Sequence, residues 1–477
     1  MDTTTVLLGL TVLFGFYMAW NIGANDVANA MGTSVGSGAL TLRRAVILAA
    51  ILEFAGAFLV GAAVTDTLRG KLFDTSQLDA ITLGLGMLAA LLASGVWLQF
   101  ASYFGWPVST THSIVGAVVG VGCVTVGVSE VEWGEVARIG SSWIISPLMA
   151  GALSYILFRV ILVKVFYKKN PVAAARRVAP LLVFIVLTVM LSVTGLKGLK
   201  GMWPRWGMET PSPVIIWGAA VLIGIIGYFI TRRLVGPAHT EEQPVDNHML
   251  TSYVARGLEK AGMHLRRVAD TAHGTTQTQA LALLEQVDKL THDARHQSMQ
   301  SPPGSEFREV ERIFCYLQIL TACFVAFAHG ANDVANAIGP MAGAIDAFKD
   351  GVVHAKAIVP LWLLALGGIG IVIGLATWGW RVIETVGKRI TELTPTRGFC
   401  AEFGASLTIL VASVFGLPIS TTHTLVGAVL GVGLARGIGA LNLSTMRDIV
   451  ASWLVTIPAG AGLAIIFFFI LRAIFVA

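Results

Sequence analysis

The stretch NIGANDVANAMG, from Asn21 to Gly32, ends a long apolar segment that begins near Thr5. A near copy, AHGANDVANAIG, runs from Ala328 to Gly339. Each copy sets an Asp between two Asn in a segment whose other residues suit lipid. Ionisable side chains are costly in a bilayer and usually face a protein interior there. The repeated stretch therefore predicts a polar site inside a membrane protein.

The composition of the chain supports this class. Of its 477 residues, 55% are hydrophobic and 13% are charged, and the mean hydropathy is +0.74. A soluble protein usually carries about 25% charged residues. Apolar runs of about 20 residues recur along most of the chain, so we predict an all-α polytopic membrane protein. The net charge of +5 comes from basic loops and does not indicate nucleic acid.

Twelve apolar segments are predicted to cross the membrane, seven before a polar linker and five after it. We divide the chain into a first membrane half at 1–235, a small helical linker at 236–312 and a second membrane half at 313–477. The approximate bounds of the twelve segments are 5–25, 45–64, 80–103, 108–128, 139–163, 178–197, 213–232, 313–332, 353–380, 398–415, 418–436 and 448–476.

Basic residues set the predicted orientation. The densest basic loop runs from Lys164 to Arg177, Arg43 and Arg44 mark another loop, and the linker carries further arginines. Counting passes places these regions on one side, which the positive-inside rule makes cytoplasmic. We therefore predict a multi-pass protein of the cell (inner or plasma) membrane, with a cytoplasmic linker and both termini outside.

A second repeated motif shows that the two membrane halves are related. GWPVSTTHSIVGAVVGVG at Gly105–Gly122 matches GLPISTTHTLVGAVLGVG at Gly416–Gly433, 311 residues later, while the two Asp motifs are 307 residues apart. Seven passes separate the starts of the halves, and an odd number inserts them in opposite orientations. Inverted repeats with broken helices are typical of secondary transporters, whose site lies where the halves meet. Some channels share this construction.

The first motif is interpreted as a cation site that is built twice. Amide and carboxylate oxygens gathered on one helix are the ligands that a hard cation such as Na⁺ takes. Gly23 and Gly330 precede the motifs, and we predict that each helix breaks there. The alternative is an Asp that merely stabilises such a break. The predicted Na⁺ ligands are Asn25, Asp26, Asn29, Asn332, Asp333 and Asn336.

The second motif is interpreted as an anion site. Pro fits the first turn of a helix, so each run PVSTTH or PISTTH places hydroxyl groups at a helix N-terminus. Free N–H groups and the positive end of the helix dipole favour an anion there, and two such ends could surround a tetrahedral oxyanion. The alternative is an ordinary N-cap. The predicted anion-binding residues are Ser109, Thr110, Thr111, Ser420, Thr421 and Thr422.

Four further residues are candidates for coupling. His112 and His423 follow the hydroxyl runs, and the alternative for each is a buried structural histidine. Glu53 and Glu402 lie in apolar segments, where a glutamate is a functional candidate, although a structural hydrogen bond would also explain it. The positions that match these glutamates in the other half are apolar, so the two are not repeat partners.

The motifs GANDVANA and P-[VI]-STTH, each present in both halves, resemble those of the inorganic phosphate transporter (PiT) family. The resemblance covers both membrane halves and excludes the linker. It implies a secondary transporter of inorganic phosphate, with the Asp motifs as ion sites and the hydroxyl runs as the phosphate site. It also marks Glu53 and Glu402 as important acids. The wording ANDVANA and STTH is that of sodium-coupled members, so we expect symport with Na⁺ as coupling ion and no cofactor.

Several alternatives stay open beside this interpretation. They are a proton-coupled symporter of phosphate or metal–phosphate complexes, a sulfate permease of the same family, an anion channel and a signalling receptor. An enzyme is not expected, because the sequence has no nucleophile–base pair, metal-binding histidine cluster or Walker-type loop. The expected partners are phosphate, Na⁺ or H⁺ and the lipid bilayer, with a homodimer as one option for assembly.

The predicted orientation can be tested by labelling in intact cells. In a background without native cysteines, a cysteine at Ser298 in the linker should stay unlabelled by an impermeant thiol reagent. The loop that carries Glu130, Glu132 and Glu135 is predicted to lie outside, and a cysteine at Ser129 in this loop should react and serves as the control. Efficient labelling at Ser298 would overturn the topology, including the inverted repeat.

Overall fold

The computed structural model of the protein describes residues 2–70, 72–73, 78–104, 106, 108–236, 248–300, 305–350, 359–379, 393–437 and 443–476. Within these ranges the chain is helical and contains no β-strand, which confirms the all-α class. The helices, in chain order, are α1 Thr3–Gly36, α2 Leu42–Val60, α3 Ala62–Gly70, α4 Ala80–Tyr103, α5 Thr110–Thr125, α6 Trp133–Ile161, α7 Pro171–Val193, α8 Pro213–Leu234, α9 His248–Thr271, α10 Thr275–Gln300, α11 Ser305–Asp350, α12 Leu361–Gly374, α13 Pro395–Val414, α14 Thr421–Arg436 and α15 Leu443–Phe475.

Polar caps fix where several of these apolar helices begin. The carboxylate of Asp2 accepts from the backbone N–H of Thr4 at 3.3 Å, and that of Asp79 accepts from Thr82 at 2.9 Å, at the starts of α1 and α4. The side chains of Ser109 and Ser420 cap α5 and α14 in the same way. Each cap satisfies a backbone N–H that has no partner inside the helix.

The chain divides into two compact units. The larger comprises Met1–Arg159, Leu182–Tyr228 and Cys315–Ala477, and it contains both copies of both motifs. The smaller comprises Val160–Leu181 and Phe229–Phe314. In the smaller unit α9 packs against α10, and Arg266 forms an ion pair with Asp288 at 3.1 Å.

Nine of the described helices are long and apolar enough to cross a membrane, fewer than the twelve predicted passes. The other three predicted segments are helical as well. Helices α5 and α14 have 16 residues each, about 24 Å, which is shorter than the roughly 30 Å hydrocarbon core of a bilayer. Helix α2 carries Arg43, Arg44 and Glu53. Residues 351–358 and 380, at the edges of one predicted pass, lie outside the described residues.

The predicted helix breaks at Gly23 and Gly330 are wrong, because α1 and α11 are continuous through both motifs. The glycines serve close helix packing instead. A Cβ on Gly23 would lie 1.9 Å from the carbonyl oxygen of Ile371 in α12, and one on Gly330 would lie 2.1 Å from that of Glu53 in α2. The two halves thus use the same contact: the motif helix of each lies against a helix of the other.

Glycines also seat the two helices that carry the hydroxyl runs. A Cβ on Gly116 of α5 would lie 2.5 Å from the carbonyl oxygen of Ile457 in α15. A Cβ on Gly427 of α14 would lie 2.3 Å from that of Pro147 in α6. Small residues let helix backbones approach closely in membrane proteins. Helices α5 and α14 are therefore each held against a long helix of the other half.

The close contact at Gly23 predicts a destabilising substitution. Gly23→Ala forces α1 away from α12 and should cost about 1–3 kcal/mol, as overpacking does, so the melting temperature in detergent should fall. Gly9→Ala is the matched control in the same helix, because a Cβ on Gly9 meets nothing within 4 Å. The control should melt at or above the wild-type temperature, since alanine favours a helix over glycine. Equal melting temperatures for the two variants would contradict the packing role.

Candidate ion and anion site

The Asp of each repeated motif is oriented by the Asn one helical turn later. In α1, Nδ2 of Asn29 donates to Oδ1 of Asp26 at 3.1 Å. In α11, Nδ2 of Asn336 donates to Oδ1 of Asp333 at 3.2 Å. All four side chains are buried. The i, i+3 spacing read from the sequence therefore produces the same local arrangement twice.

The first Asn of each motif contacts a serine that the sequence analysis missed. Nδ2 of Asn25 donates to Oγ of Ser102 at 2.7 Å, and Nδ2 of Asn332 donates to Oγ of Ser413 at 2.9 Å. The two serines end α4 and α13 and are 311 residues apart, the same offset as the hydroxyl runs. Alignment of the two halves beyond the motifs would have paired them.

The serines that begin the hydroxyl runs serve as N-caps. Oγ of Ser109 accepts from the backbone N–H of His112 at 3.2 Å, and Oγ of Ser420 accepts from that of His423 at 3.2 Å. For these two hydroxyl groups the structure agrees with the alternative of an ordinary cap. Gly105 and Pro107, which precede the first run, lie outside the described residues.

The threonines of the hydroxyl runs face the Asp motifs. Some of these contacts join a threonine of one half to the Asp motif of the other half. In the first-half motif, Nδ2 of Asn29 donates to Oγ1 of Thr422 at 2.7 Å. In the second-half motif, Nδ2 of Asn336 lies 3.2 Å from the hydroxyl oxygens of both Thr110 and Thr111. The two motifs that the sequence analysis treated as separate sites therefore meet, and each Asn reaches a hydroxyl run of the opposite repeat.

Threonine hydroxyls also donate directly to the two carboxylates. Oγ1 of Thr421 donates to Oδ2 of Asp333 at 2.7 Å, and Oγ1 of Thr422 lies 3.2 Å from Oδ1 of Asp26. All four threonines at the starts of α5 and α14 are buried. A bound anion and a bound cation would consequently share this space.

His329 joins the two halves of the site and was not singled out from the sequence. It lies one helical turn before Asp333, with Nε2 at 3.0 Å from Oδ2 of that residue. Its Nδ1 lies 3.1 Å from Oε1 of Glu53. One ligand atom each of Asp26, His329 and Asp333 lie within 4.8 Å of one another, and all three residues are buried. The sequence signal for His329 was the second motif copy, AHGAND, which has a histidine at the position where the first copy has Ile22.

The site therefore departs from two-fold symmetry. Position 329 corresponds to Ile22 at the motif offset, and the helix contact of Glu53 with Gly330 corresponds to that of Ile371 with Gly23. One contact between the halves pairs a histidine with a glutamate, and the matching contact has two isoleucines at the corresponding positions. The predicted coupling residue Glu53 is thus next to the cluster, through His329.

Glu402 occupies a separate cluster of donors. Its Oε1 accepts from the hydroxyls of Thr33 and Ser34 at 2.6 Å each and from Nε2 of Gln318 at 3.1 Å. Its Oε2 accepts from Oγ1 of Thr321 at 2.8 Å. The carboxylate is fully buried and ties α1 and α11 to α13. These contacts agree with the structural alternative of the sequence analysis, and they leave the coupling role a prediction.

The two predicted coupling histidines pack against each other. The ring centroids of His112 and His423 are 4.3 Å apart in an edge-to-face arrangement. Trp143 lies against the first ring at 3.9 Å, and Trp453 stacks on the second at 3.5 Å. Four aromatic rings from both repeats thus hold the starts of α5 and α14 together, directly behind the hydroxyl runs.

Several buried oxygen atoms at the site accept no hydrogen bond from the described residues. All of them belong to the two Asp motifs, and each has lone pairs available for a cation. These atoms are Oδ1 of Asn25, Oδ2 of Asp26, Oδ1 of Asn332 and Oδ1 of Asn336.

Known proteins are similar to this chain over nearly its whole length. Residues 22–464 match the model of the phosphate transporter family. The chain is 47% identical to a phosphate permease of Chlamydia pneumoniae, over 98% of this chain and 99% of that protein. It is 44% identical to the chloroplast inorganic phosphate transporter 2-1 of Arabidopsis thaliana, over 99% of this chain and 73% of that protein.

A solved structure is similar as well. It is that of a sodium-dependent phosphate transporter, which shares 34% sequence identity and superposes with a TM-score of 0.77, covering 98% of this chain and 100% of that one. The family match begins at the first Asp motif and ends beyond the second hydroxyl run. This chain therefore belongs to the phosphate transporter family and is a membrane transporter, not an enzyme.

Proposed function

We propose that the protein imports inorganic phosphate by symport with Na⁺, through an alternating-access site between its two halves. The observation that carries the proposal is the set of buried oxygens without donors beside Asp26 and Asp333. Phosphate as substrate is supported by the family match. Na⁺ as coupling ion is supported by the similarity to a sodium-dependent phosphate transporter. We place the linker in the cytoplasm, as the basic loops predict.

The cation would be held by the Asp motifs. Na⁺ takes oxygen ligands, and the motifs offer two carboxylates together with three amide oxygens that lack donors, those of Asn25, Asn332 and Asn336. The Asn residues donate through their Nδ2 atoms to threonine or serine hydroxyls. At Asn25 and Asn336 those hydrogen bonds leave the amide oxygen, rather than the nitrogen, available to the ion.

The phosphate would lie at the starts of α5 and α14. Both helices begin within the site, so their first N–H groups and dipoles favour an anion. Thr110, Thr111, Thr421 and Thr422 supply hydroxyl groups there without adding charge, and all four are buried. Ser109 and Ser420 support this arrangement by capping the helices.

Charge explains why the two solutes would move together. The threonines that face phosphate also contact Asp26 and Asp333, so an anion would sit close to two carboxylates. Like charges about 4 Å apart repel by about 4 kcal/mol at the effective dielectric of a protein surface. Cations on the carboxylates convert this repulsion into attraction. Phosphate binding therefore requires the ions, which is the basis of symport.

A proton-coupled symporter is the second candidate, and the contact of His329 with Glu53 favours it. Proton coupling needs a group in the site that gains and loses a proton, and this pair provides one. Uptake of labelled phosphate into liposomes separates the candidates. A Na⁺ gradient without a pH gradient should drive uptake. Uptake driven by a pH gradient alone would identify H⁺, and not Na⁺, as the coupling ion. Competition by sulfate and arsenate tests the anion.

The ion role predicts the effect of neutralising either carboxylate. Asp26→Asn and Asp333→Asn should each abolish Na⁺-driven phosphate uptake, because each removes a negative charge that holds the cation. Asp79→Asn is the control: this exposed aspartate caps α4, and asparagine caps equally well. The variants should still insert, since a buried charge is removed. Near-normal uptake by either site variant would refute the assignment.

The anion role predicts equal effects in the two halves. Thr110→Val and Thr421→Val should each weaken phosphate binding, measured at saturating Na⁺, by roughly 10- to 150-fold, since a hydrogen bond to a charged group is worth about 1.5–3 kcal/mol. Thr125→Val is the control, because that hydroxyl donates to the carbonyl of Val121 at the far end of α5. A loss of melting temperature with unchanged affinity would instead identify both threonines as structural.

A further inference from the structure

The cluster of Asp26, His329 and Asp333 offers a nitrogen ligand that Na⁺ does not use. Their three ligand atoms lie within 4.8 Å of one another, and the side chains are 0–1% exposed. Na⁺, like other hard cations, takes oxygen, whereas imidazole suits transition metals such as Zn²⁺ and Co²⁺. The ligand set of two carboxylates and one imidazole therefore fits a second class of cation.

The surroundings of His329 resemble those of a metal-bound histidine. A metal-ligating imidazole almost always directs its other ring nitrogen to a carboxylate or carbonyl, which fixes the ring. Nδ1 of His329 lies 3.1 Å from Oε1 of Glu53, while Nε2 is on the side of Asp333. Glu53 thus holds the ring so that Nε2 faces the two aspartates.

A second observation points to a ligand in the same space. Oδ2 of Asp26 accepts no hydrogen bond from the described residues, although the side chain is 1% exposed. A buried carboxylate oxygen without a donor is costly unless a cation satisfies it. The other oxygen of Asp26 is already engaged by Asn29 and Thr422.

We infer that Asp26, His329 and Asp333 bind a divalent transition-metal ion, of the Zn²⁺ or Co²⁺ class, in competition with Na⁺. The carboxylates are shared by the two cations, so a bound divalent ion excludes Na⁺ and inhibits Na⁺-driven phosphate uptake. The competition, though not the binding, rests on the proposed Na⁺ role of the aspartates. Glu53 acts as a positioning residue, since it contacts the imidazole and not the metal.

The binding is measured on purified full-length protein with Co²⁺ as the probe, through the visible absorption of the bound ion. Co²⁺ should bind, and added Na⁺ should displace it. Glu53→Gln should weaken Co²⁺ binding by about 10- to 100-fold, as loss of an outer partner does, and His329→Gln should weaken it more. His292→Gln, in the exposed part of α10, is the control and should bind like the wild type. Melting temperatures establish that each variant is folded.

The outcomes separate this inference from the proposed function. Unchanged Co²⁺ affinity in folded His329→Gln, or no Co²⁺ binding by the wild type, overturns the metal site even if Na⁺-driven uptake is intact. Binding that Na⁺ fails to displace overturns the competition. Binding that is lost in His329→Gln, in a protein without Na⁺-driven uptake, supports the metal site and rejects Na⁺ symport. In liposomes, Zn²⁺ should inhibit uptake by the wild type and by His292→Gln alike.

Discussion

Two carboxylates, Asp26 and Asp333, are buried within one cluster, and this juxtaposition of like charges is what the surrounding structure must stabilise. Burial of even one unpaired charge is costly in a protein interior. Here the cost is reduced by side chains from three helices: two asparagines, two threonines and one histidine contact the carboxylates. The proposed cation site depends on the remaining negative charge of this cluster, and the proposed anion site depends on the adjoining helix starts.

The backbone contacts explain how the polar groups are brought together. Gly23 and Gly330 place the motif helix of each half against a helix of the other, and Asp26 and Asp333 on these two helices lie in one cluster. Gly116 and Gly427 seat the helices with the hydroxyl runs. Glycine specifies close packing of this kind, because it has no side chain to keep the two backbones apart.

Much of the site was predictable because its motifs occur twice in the sequence. The duplicated Asp and hydroxyl motifs predicted which residues form the cluster, where α5 and α14 begin and how the two halves are related. Their merging into one cluster was not predictable, because the contact of Asn29 with Thr422 depends on how helices of different halves lie side by side. The prediction was wrong at Gly23 and Gly330, because a glycine permits either a helix break or a close approach of two helices. Which of the two occurs depends on the neighbouring helix, which the sequence does not show. His329 occurs in one copy alone, so the repeat gave it no support.

The inequality of the halves has a consequence for the transport cycle. In a carrier built on an inverted repeat, the outward-open and inward-open states are related by exchanging the conformations of the two halves. Identical halves would make the empty carrier equally stable in both states. Here His329 and Glu53 correspond in the repeat to Ile22 and Ile371. Glu402, with its hydrogen-bond donors, corresponds to the apolar residue Leu91. These buried polar interactions join residues of both halves and have no counterparts at the matching positions, so the two proposed states of the empty carrier would differ in free energy.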